Sequence, residues 1–240
     1  MLPAVETGVS DARLLEVYGR PPGVWLRANF VASLDGAATS EGLSAGLQPP
    51  GDGRVFELLR RLADVVLVGA GTVASEGYTA LRVDDASVAW RRERGMPEHP
   101  VFAIASRRLD LDPGSPIFAD APVRPIVVTT GESAEDRRGR LAAVADVLVA
   151  GEAEFDAQRM RAGLAERGLT QILCEGGPSF FGSLIEAGVL DELCLTVAPR
   201  LLSGGAQRIA HASAARPTPM HLEHVLREGD ALFLCYRRER

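Results

Sequence analysis

The chain has 240 residues, 46% hydrophobic and 24% charged, with a formal charge of −6. That is apolar material for the full core of one α/β domain, two at most, with no collagen-like, disordered or repetitive bias. The acidic balance argues against a general nucleic-acid or anionic-membrane surface. With no apolar run near the roughly 18 residues of a membrane span and no basic-then-apolar leader, a cytoplasmic protein is expected.

Residues 1–23 read as a lead-in, with a short helix over 11–18 that stops at Gly19, and residues 24–240 as a single domain. Trp25–Ser33 is a strand with Leu34-Asp35-Gly36 as its exit turn. Residues 39–53 are rich in Gly, Ser and Pro without periodicity, so they read as a loop long enough to be functional. Residues 54–62 carry Val55, Phe56, Leu58, Leu59 and Leu62 on one face of an amphipathic helix. The run 64–68, Asp64 followed by four aliphatic residues, reads as a continuous apolar strand of the kind buried on both faces in a parallel sheet. In the charged segment 79–98, Arg91, Arg92, Glu93 and Arg94 read as a solvated helix face. Strands follow at 101–105, 126–129 and 147–150, then a helix over 155–167.

The segment 170–200 organises the rest. Gln171–Cys174 is a short buried strand, broken by Glu175-Gly176-Gly177-Pro178. Pro178 suits the first turn of a helix, and the pattern Phe180, Phe181, Leu184, Ile185 carries that helix to Gly188. Leu193–Ala198 then completes a β-α-β unit, and residues 221–235 read as a closing hairpin. Strands alternating with helices predict a mostly parallel sheet covered on both faces, whose ligands bind beyond the carboxyl ends of the strands. Two glycine loops, at 69–71 and 176–177, lie at such ends. A strand, a Gly-Gly loop and a helix N-terminus aim backbone N–H groups at one point, which suits a pyrophosphate.

Gly69-x-Gly71-x-x-Ala74 fits the loose dinucleotide fingerprint, but Ser75-Glu76-Gly77-Tyr78 continues a helix poorly and no acidic residue ends the next strand. Ser106-Arg107-Arg108 ends it instead. An arginine there matches a 2′-phosphate and favours NADPH over NADH, with two ordinary surface arginines as the open alternative. Cys174, Cys194 and Cys235 make an odd, widely spaced set, neither a disulfide framework nor a zinc site, and read as buried small hydrophobes. His221 and His224 lack a cluster of further ligands, so surface or turn positions are expected and no metal site.

Taken in order, Asn29-x-x-x-Ser33-Leu34-Asp35-Gly36, the run 62–73, Glu175-Gly176-Gly177-Pro178, Asp191-Glu192-Leu193 and Ala198-Pro199 resemble the RibD C-terminal-like pyrimidine reductases of riboflavin biosynthesis. The resemblance spans about residues 24–236 and implies a dihydrofolate reductase-like α/β fold: a mostly parallel central sheet, helices on both faces and a C-terminal antiparallel hairpin. No H-x-E followed by P-C-x-x-C zinc pattern occurs, so a stand-alone reductase is implied, without the deaminase half. The implied reaction is NADPH-dependent reduction of a ribosylaminopyrimidine 5′-phosphate to the ribitylamino compound.

By that resemblance Asp35 and Glu175 are the catalytic candidates, and Asn29, Ser33, Leu34 and Arg54 the substrate contacts. Cofactor contacts would be Gly69, Ala70, Gly71, Thr72, Val73, Ser106, Arg107, Thr129, Gly176, Gly177, Pro178, Ser179 and Phe180. Asp35 is also open to a plainer role, an Asx-type turn before Gly36. Glu175 stands just ahead of a helix N-terminus, where a carboxylate is favoured over a proton donor. Asn29 replaces the lysine of many bifunctional members, so no role needing an amine carries over. A homodimer is implied, with the apolar C-terminal half as its interface. A dihydrofolate or pterin reductase and a non-catalytic NADP(H)-binding protein are the competing readings.

Overall fold

Short runs of aliphatic residues make the strands, and a glycine, proline or charged residue after each decides where it stops. The structure is a computed structural model and describes residues 6–239. Nine strands form one sheet in the order β5-β4-β3-β2-β6-β1-β7-β9-β8. β1 (Trp25–Ser33), β2 (Val65–Gly69), β3 (Val101–Ala105), β4 (Ile126–Thr129), β5 (Asp146–Val149), β6 (Gln171–Cys174) and β7 (Glu192–Ala198) run parallel. The hairpin β8 (Met220–Glu228) and β9 (Ala231–Arg238) closes the sheet, β9 lying antiparallel to both β7 and β8.

Eight helices accompany the strands among the described residues: α1 (Asp11–Tyr18), α2 (Pro50–Leu62), α3 (Ala70–Ser75), α4 (Asp85–Arg92), α5 (Pro116–Ala119), α6 (Glu135–Ala142), α7 (Ala157–Ala165) and α8 (Pro178–Glu186). The period of two along β2 splits its side chains between two cores. Val66 and Val68 join Leu14, Leu58 and Leu141 from α1, α2 and α6. Val65 and Leu67 join Met160, Leu164, Phe181 and Leu184 from α7 and α8 on the other face. Every residue of β2 is buried, which explains its unbroken apolar sequence. Among the described residues no helix is long and apolar enough to cross a membrane.

The structure departs from sequence expectation in four places. α2 begins at Pro50, so the expected loop over 39–53 ends early and contains a 3-10 turn, Ser44–Leu47. A proline at the first helical position costs nothing there, and Gly51 and Asp52 complete the first turn. The expected β-α-β unit of β6, α8 and β7 is parallel, but β1 lies between its two strands. Arg91 is fully buried and not on a solvated face, donating to the carbonyls of Arg61, Ala63 and Pro97. It therefore caps the C-terminal end of α2, a use of arginine that hydropathy does not register. The helices α5 and α6 lack a clear apolar period, so the sequence gives no sign of them.

All three cysteines are free and buried, as expected. Cys194 and Cys235 face each other across β7 and β9, beside Glu192. Glu192 is wholly buried between two guanidinium groups: Arg27 of β1 pairs with one oxygen, and Arg237 of β9 lies 3.0 Å from the other. Arg27 also donates to the Tyr18 carbonyl at 2.6 Å, tying α1 to the sheet. Burial alone would raise the Glu192 carboxyl, but the charge and hydrogen bonds of Arg27, helped by Arg237, hold it below its usual 4.5. The unfolded chain therefore takes up this proton first as pH falls. The stabilisation is complete above pH 4.5 and drains away below it. Glu192→Gln is expected to flatten this acid limb in urea unfolding series and, by leaving Arg27 buried without its partner, to cost roughly 3–5 kcal/mol at neutral pH.

Candidate active site

β2 and β6 are neighbours in the sheet, so the loops leaving their carboxyl ends emerge side by side. They touch. The Gly69 amide donates to the Gly176 carbonyl at 2.7 Å, and the Glu175 amide to the Leu67 carbonyl at 3.1 Å. A Cβ on Gly177 would lie 2.1 Å from Thr72 Oγ1, and one on Gly69 would lie 3.3 Å from the Phe180 Cβ. Gly176 has φ +107, a conformation that side chains rarely adopt, and the Gly176–Gly177 peptide is cis. Gly69 and Gly177 are thus set by close approach of the facing loop, and Gly176 by its backbone conformation.

Two clefts open on either side of this contact, and Thr72, Ser75, Gly177, Pro178 and Gln207 line both. The first, of about 870 Å³, lies toward β1 and α2 and is lined by Asn29, Asp52, Phe56, Arg60, Tyr78, Arg82 and Glu175, among others. The second, of about 1020 Å³, runs over the ends of β2, β3 and β4 past Gly69–Thr72, Ser106–Arg108, Thr129 and Ser179–Phe180. α3 and α8 both begin at the shared wall. Their first-turn amides have no acceptor within the helix, which makes this wall a natural anion cradle. Thr129, at 1% exposure, has an Oγ1 without a hydrogen-bond partner, at the end of β4 in this second cleft. Arg107 and Arg108 are exposed there, with no ion-pair partner among the described residues.

The first cleft is built around a buried charge cluster. Glu175 accepts from Arg60 Nε at 2.7 Å and from its terminal nitrogen at 2.8 Å, with Tyr78 Oη at 2.9 Å from the second oxygen. The guanidinium also lies 4.1 Å from the Phe56 ring. Burial alone would lower the Arg60 group, but the Glu175 charge outweighs it and the net shift is upward. Burial, reinforced by Glu175, pushes the Tyr78 hydroxyl well above its usual range, so it stays a neutral donor. Asp52, at 4% exposure, is separate from this cluster.

The structure brings most, though not all, of the sequence candidates to the two clefts. Gly69, Ala70, Gly71, Thr72, Ser106, Arg107, Thr129, Gly177, Pro178, Ser179 and Phe180 line the second. Val73 packs in the core instead, as the inward residue of α3. Asn29, Glu175 and Gly176 line the first. Ser33, Leu34 and Asp35 line neither. Asp35 is exposed and accepts from Ser33 Oγ and from the Leu202 and Ser203 amides, at 3.2 and 2.6 Å, so it pins the 201–203 loop to the end of β1. The turn itself is closed by Ser33, whose carbonyl accepts from the Gly36 amide and whose Oγ accepts from the Ala37 amide, so the Asp35 carboxylate serves the 201–203 loop rather than an Asx-type turn. Arg54 points away, to Asp11 at 2.6 Å and the Val9 carbonyl. Sequence reasoning overlooked Asp52, Arg60, Tyr78 and Arg82. The first two are hidden in a stretch that reads as loop and amphipathic helix, Tyr78 in the poorly helical stretch 75–78, and Arg82 in the charged segment that follows.

The expected surface positions for the histidines hold for one of them. His221 is exposed, whereas the ring nitrogens of His224 are buried without hydrogen-bond partners, and its ring sits edge-on to Tyr18 at 4.9 Å.

A mostly parallel sheet with two clefts side by side at the carboxyl ends of its strands, divided by adjacent glycine corners, is the arrangement of an α/β enzyme that takes its ligands at that end of the sheet. The RibD C-terminal domain profile matches residues 24–232, and the chain belongs to that family. It is 26% identical over 178 residues to a 2,5-diamino-6-ribosylamino-4(3H)-pyrimidinone 5′-phosphate reductase of Archaeoglobus fulgidus, covering 73% of this chain and 80% of the relative. It is 27% identical to a riboflavin biosynthesis protein RibD of Mycobacterium tuberculosis, over 78% of this chain but only 44% of that longer protein. A crystal structure of a pyrimidine reductase-like protein of Corynebacterium diphtheriae superposes with a TM-score of 0.85 at 26% identity, covering 94% of this chain and 98% of the other. A riboflavin biosynthesis reductase of Saccharomyces cerevisiae shares the fold, with a TM-score of 0.68 at 17% identity, covering 95% and 98%. The fold is the dihydrofolate reductase-like one that the sequence implied.

The glycine contact makes a direct prediction. Gly176→Ala forces a side chain into a strained conformation and is expected to cost about 1–3 kcal/mol in denaturant unfolding. Gly71→Ala, which meets nothing within 4 Å and needs no positive φ, is expected to leave stability nearly unchanged. Equal losses in the two variants would show that the corner is not under this constraint.

Proposed function

We propose that the chain is an NADPH-dependent reductase, acting in the cytoplasm, that converts a ribosylaminopyrimidine 5′-phosphate to its ribitylamino product. The observation that carries this reading is the shared wall. A dinucleotide lying in the second cleft would reach the first past the residues common to both, Thr72, Gly177 and Pro178 among them, and that is where a nicotinamide and a sugar carbon would meet. A nicotinamide cofactor, when bound, supplies the hydride. The remainder is the work of the chain. First-turn amides of α3 and α8 would hold the pyrophosphate, Thr129 Oγ1 would gain the partner it lacks, and Arg107 would take the 2′-phosphate.

In the first cleft, Arg60 is fixed by Glu175, so Glu175 acts as a positioning residue for a guanidinium rather than as a direct partner of the pyrimidine. Arg82 is exposed, and one terminal nitrogen donates to the Asp120 carbonyl at 2.7 Å, leaving most of its fork for the substrate phosphate. Asn29 Oδ1 is buried without a partner on the wall of the same cleft and is a ready acceptor for a substrate N–H or hydroxyl.

The test follows the loss of reduced-nicotinamide absorbance. Oxidation of NADPH with the ribosylaminopyrimidine phosphate and none with dihydrofolate supports the reading, while NADPH binding without turnover of either would leave a non-catalytic binding protein. Arg107→Ala is expected to raise the KM for NADPH about tenfold, as loss of one exposed charge-assisted contact should, and to leave the KM for NADH unchanged.

A homodimer is part of the same proposal. One face of the terminal hairpin carries Leu222, Val225 and Leu232, which are 53%, 44% and 38% exposed, and β8 is a sheet edge. Edges and apolar faces of this kind are normally covered. A solution mass of about twice 25.5 kDa is expected, shifting toward the single-chain value in Leu222→Glu.

A further inference from the structure

One residue of the wall between the clefts belongs to neither glycine corner. Thr72 and Ser75 come from α3 and Gly177 and Pro178 from the start of α8, but Gln207, which also lines both clefts, comes from the long segment between β7 and β8. No other residue of that segment lines either cleft. The Gln207 side chain is exposed and has no hydrogen-bond partner among the described residues. The two hydroxyls of the wall are less free. Thr72 Oγ1 is set against Gly177, and Ser75 Oγ donates to the Thr72 carbonyl at 3.4 Å. Of the side chains on the wall, only the Gln207 carboxamide therefore offers a free acceptor together with free N–H donors.

The segment that carries it is anchored. At one end the Leu34 amide donates to the Arg200 carbonyl at 2.8 Å, and the Asp35 carboxylate accepts from the Leu202 and Ser203 amides at 3.2 and 2.6 Å. At the other end the His211 amide donates to the Pro178 carbonyl at 3.0 Å. Gly182 of α8 permits that approach, since a Cβ there would lie 2.1 Å from the His211 carbonyl oxygen. Midway, the Ala38 amide donates to the carbonyl of Gln207 itself at 2.8 Å. Residues 200–211 thus form a strap fixed at both ends and at its centre, running from the exit turn of β1 to the first turn of α8. Asp35, which lines neither cleft, acquires a task in this arrangement, for it holds one end of the strap.

Building on the reductase reading, we propose that Gln207 hydrogen-bonds the carboxamide of a nicotinamide lying at the wall, with Asp35 as the positioning residue that acts through the strap. A primary amide is its own complement: the acceptor and one donor on each partner make two antiparallel hydrogen bonds. The carboxamide stands on one side of the nicotinamide ring, so gripping it decides which ring face is turned toward the first cleft. A half-turn about the bond to ribose would exchange the faces, and the contact therefore sets geometry rather than supplying chemistry. Being uncharged, Gln207 orients the ring without drawing it toward the positively charged oxidised form.

The experiment is isothermal titration in the absence of substrate. It compares NADPH with its reduced 3-acetylpyridine analogue, in which a methyl ketone replaces the carboxamide and the N–H donors are lost. Wild type is expected to prefer NADPH by about tenfold, the worth of one hydrogen bond. Gln207→Ala removes an exposed side chain and keeps the backbone anchors, and is expected to bring the preference close to one, mainly by weakening NADPH. Asp35→Asn is expected to move the ratio the same way but less far, and to add nothing in the Gln207→Ala background. A merely structural Asp35 would lower the unfolding temperature and leave the ratio alone, which removes it from the proposal. An unchanged ratio in Gln207→Ala, or a loss confined to the KM for the pyrimidine substrate, overturns the role of Gln207 and leaves the reductase reading intact. A wild type that binds no NADPH overturns both.

Discussion

The contact between two backbones at Gly69 and at Gly176-Gly177 is the constraint on which the site depends. Adjacent parallel strands lie about 4.8 Å apart, so loops that leave neighbouring carboxyl ends and turn toward each other have little room for side chains between them. Here both corners are glycine, and the Gly69 amide to Gly176 carbonyl bond closes the gap at 2.7 Å. This closure separates the two clefts with little more than main chain. It also lets helices α3 and α8 start at the same spot, concentrating their unpaired amides on one groove. A single added methyl group at Gly177 would meet Thr72, which itself belongs to both clefts.

Charge is distributed around this wall by burial. Where a carboxylate has a structural task it is matched by arginine, as with Glu192 between Arg27 and Arg237, or Glu175 held in two-point contact by Arg60. These pairs bring costly ions into the interior, and their value lies in fixing positions more than in net stability. Glu175 illustrates the point: with both oxygens engaged, it cannot also turn freely toward a ligand, but it orients Arg60 and Tyr78 along the cleft. The exposed arginines are the opposite case. Arg82, Arg107 and Arg108 keep their charges at cleft margins, where an incoming phosphate is the natural counter-ion.

The strands of the sheet were legible in the sequence because parallel strands buried on both faces are nearly uniform in composition, and β1, β3, β4 and β6 fall where the apolar runs lie. The groove was legible for a related reason: a glycine directly after a buried strand marks a place where the backbone turns sharply or is closely approached. What failed was anything that depended on the direction of a polar side chain. Asp35 lies in the expected turn yet serves the 201–203 loop, and Arg54 sits on the expected helix yet faces Asp11. Arg91 looks solvated within a run of charges, but it reaches inward to three carbonyls because α2 and α4 pack together. A one-residue change in helix phase decides such cases, and composition carries no phase.

The same reasoning explains why Asp52 escapes notice in the sequence while being physically conspicuous in the fold. It follows Pro49-Pro50-Gly51, where an aspartate is an ordinary helix-starting residue and needs no further account. In the fold, Gly51 is pressed against Glu228 and Phe233 of the hairpin, so the first turn of α2 is driven down onto the sheet. That packing carries its neighbour out of solvent, with the Thr196 side chain for company. A residue that an exposed helix start would have left hydrated is thereby desolvated at the rim of a cleft. Desolvation lifts its carboxyl above the usual range, and the hydrogen bond from the Thr196 side chain works against that shift. Tight packing of the hairpin on α2 and the burial of Asp52 are two consequences of one close approach, as the glycine wall is of another.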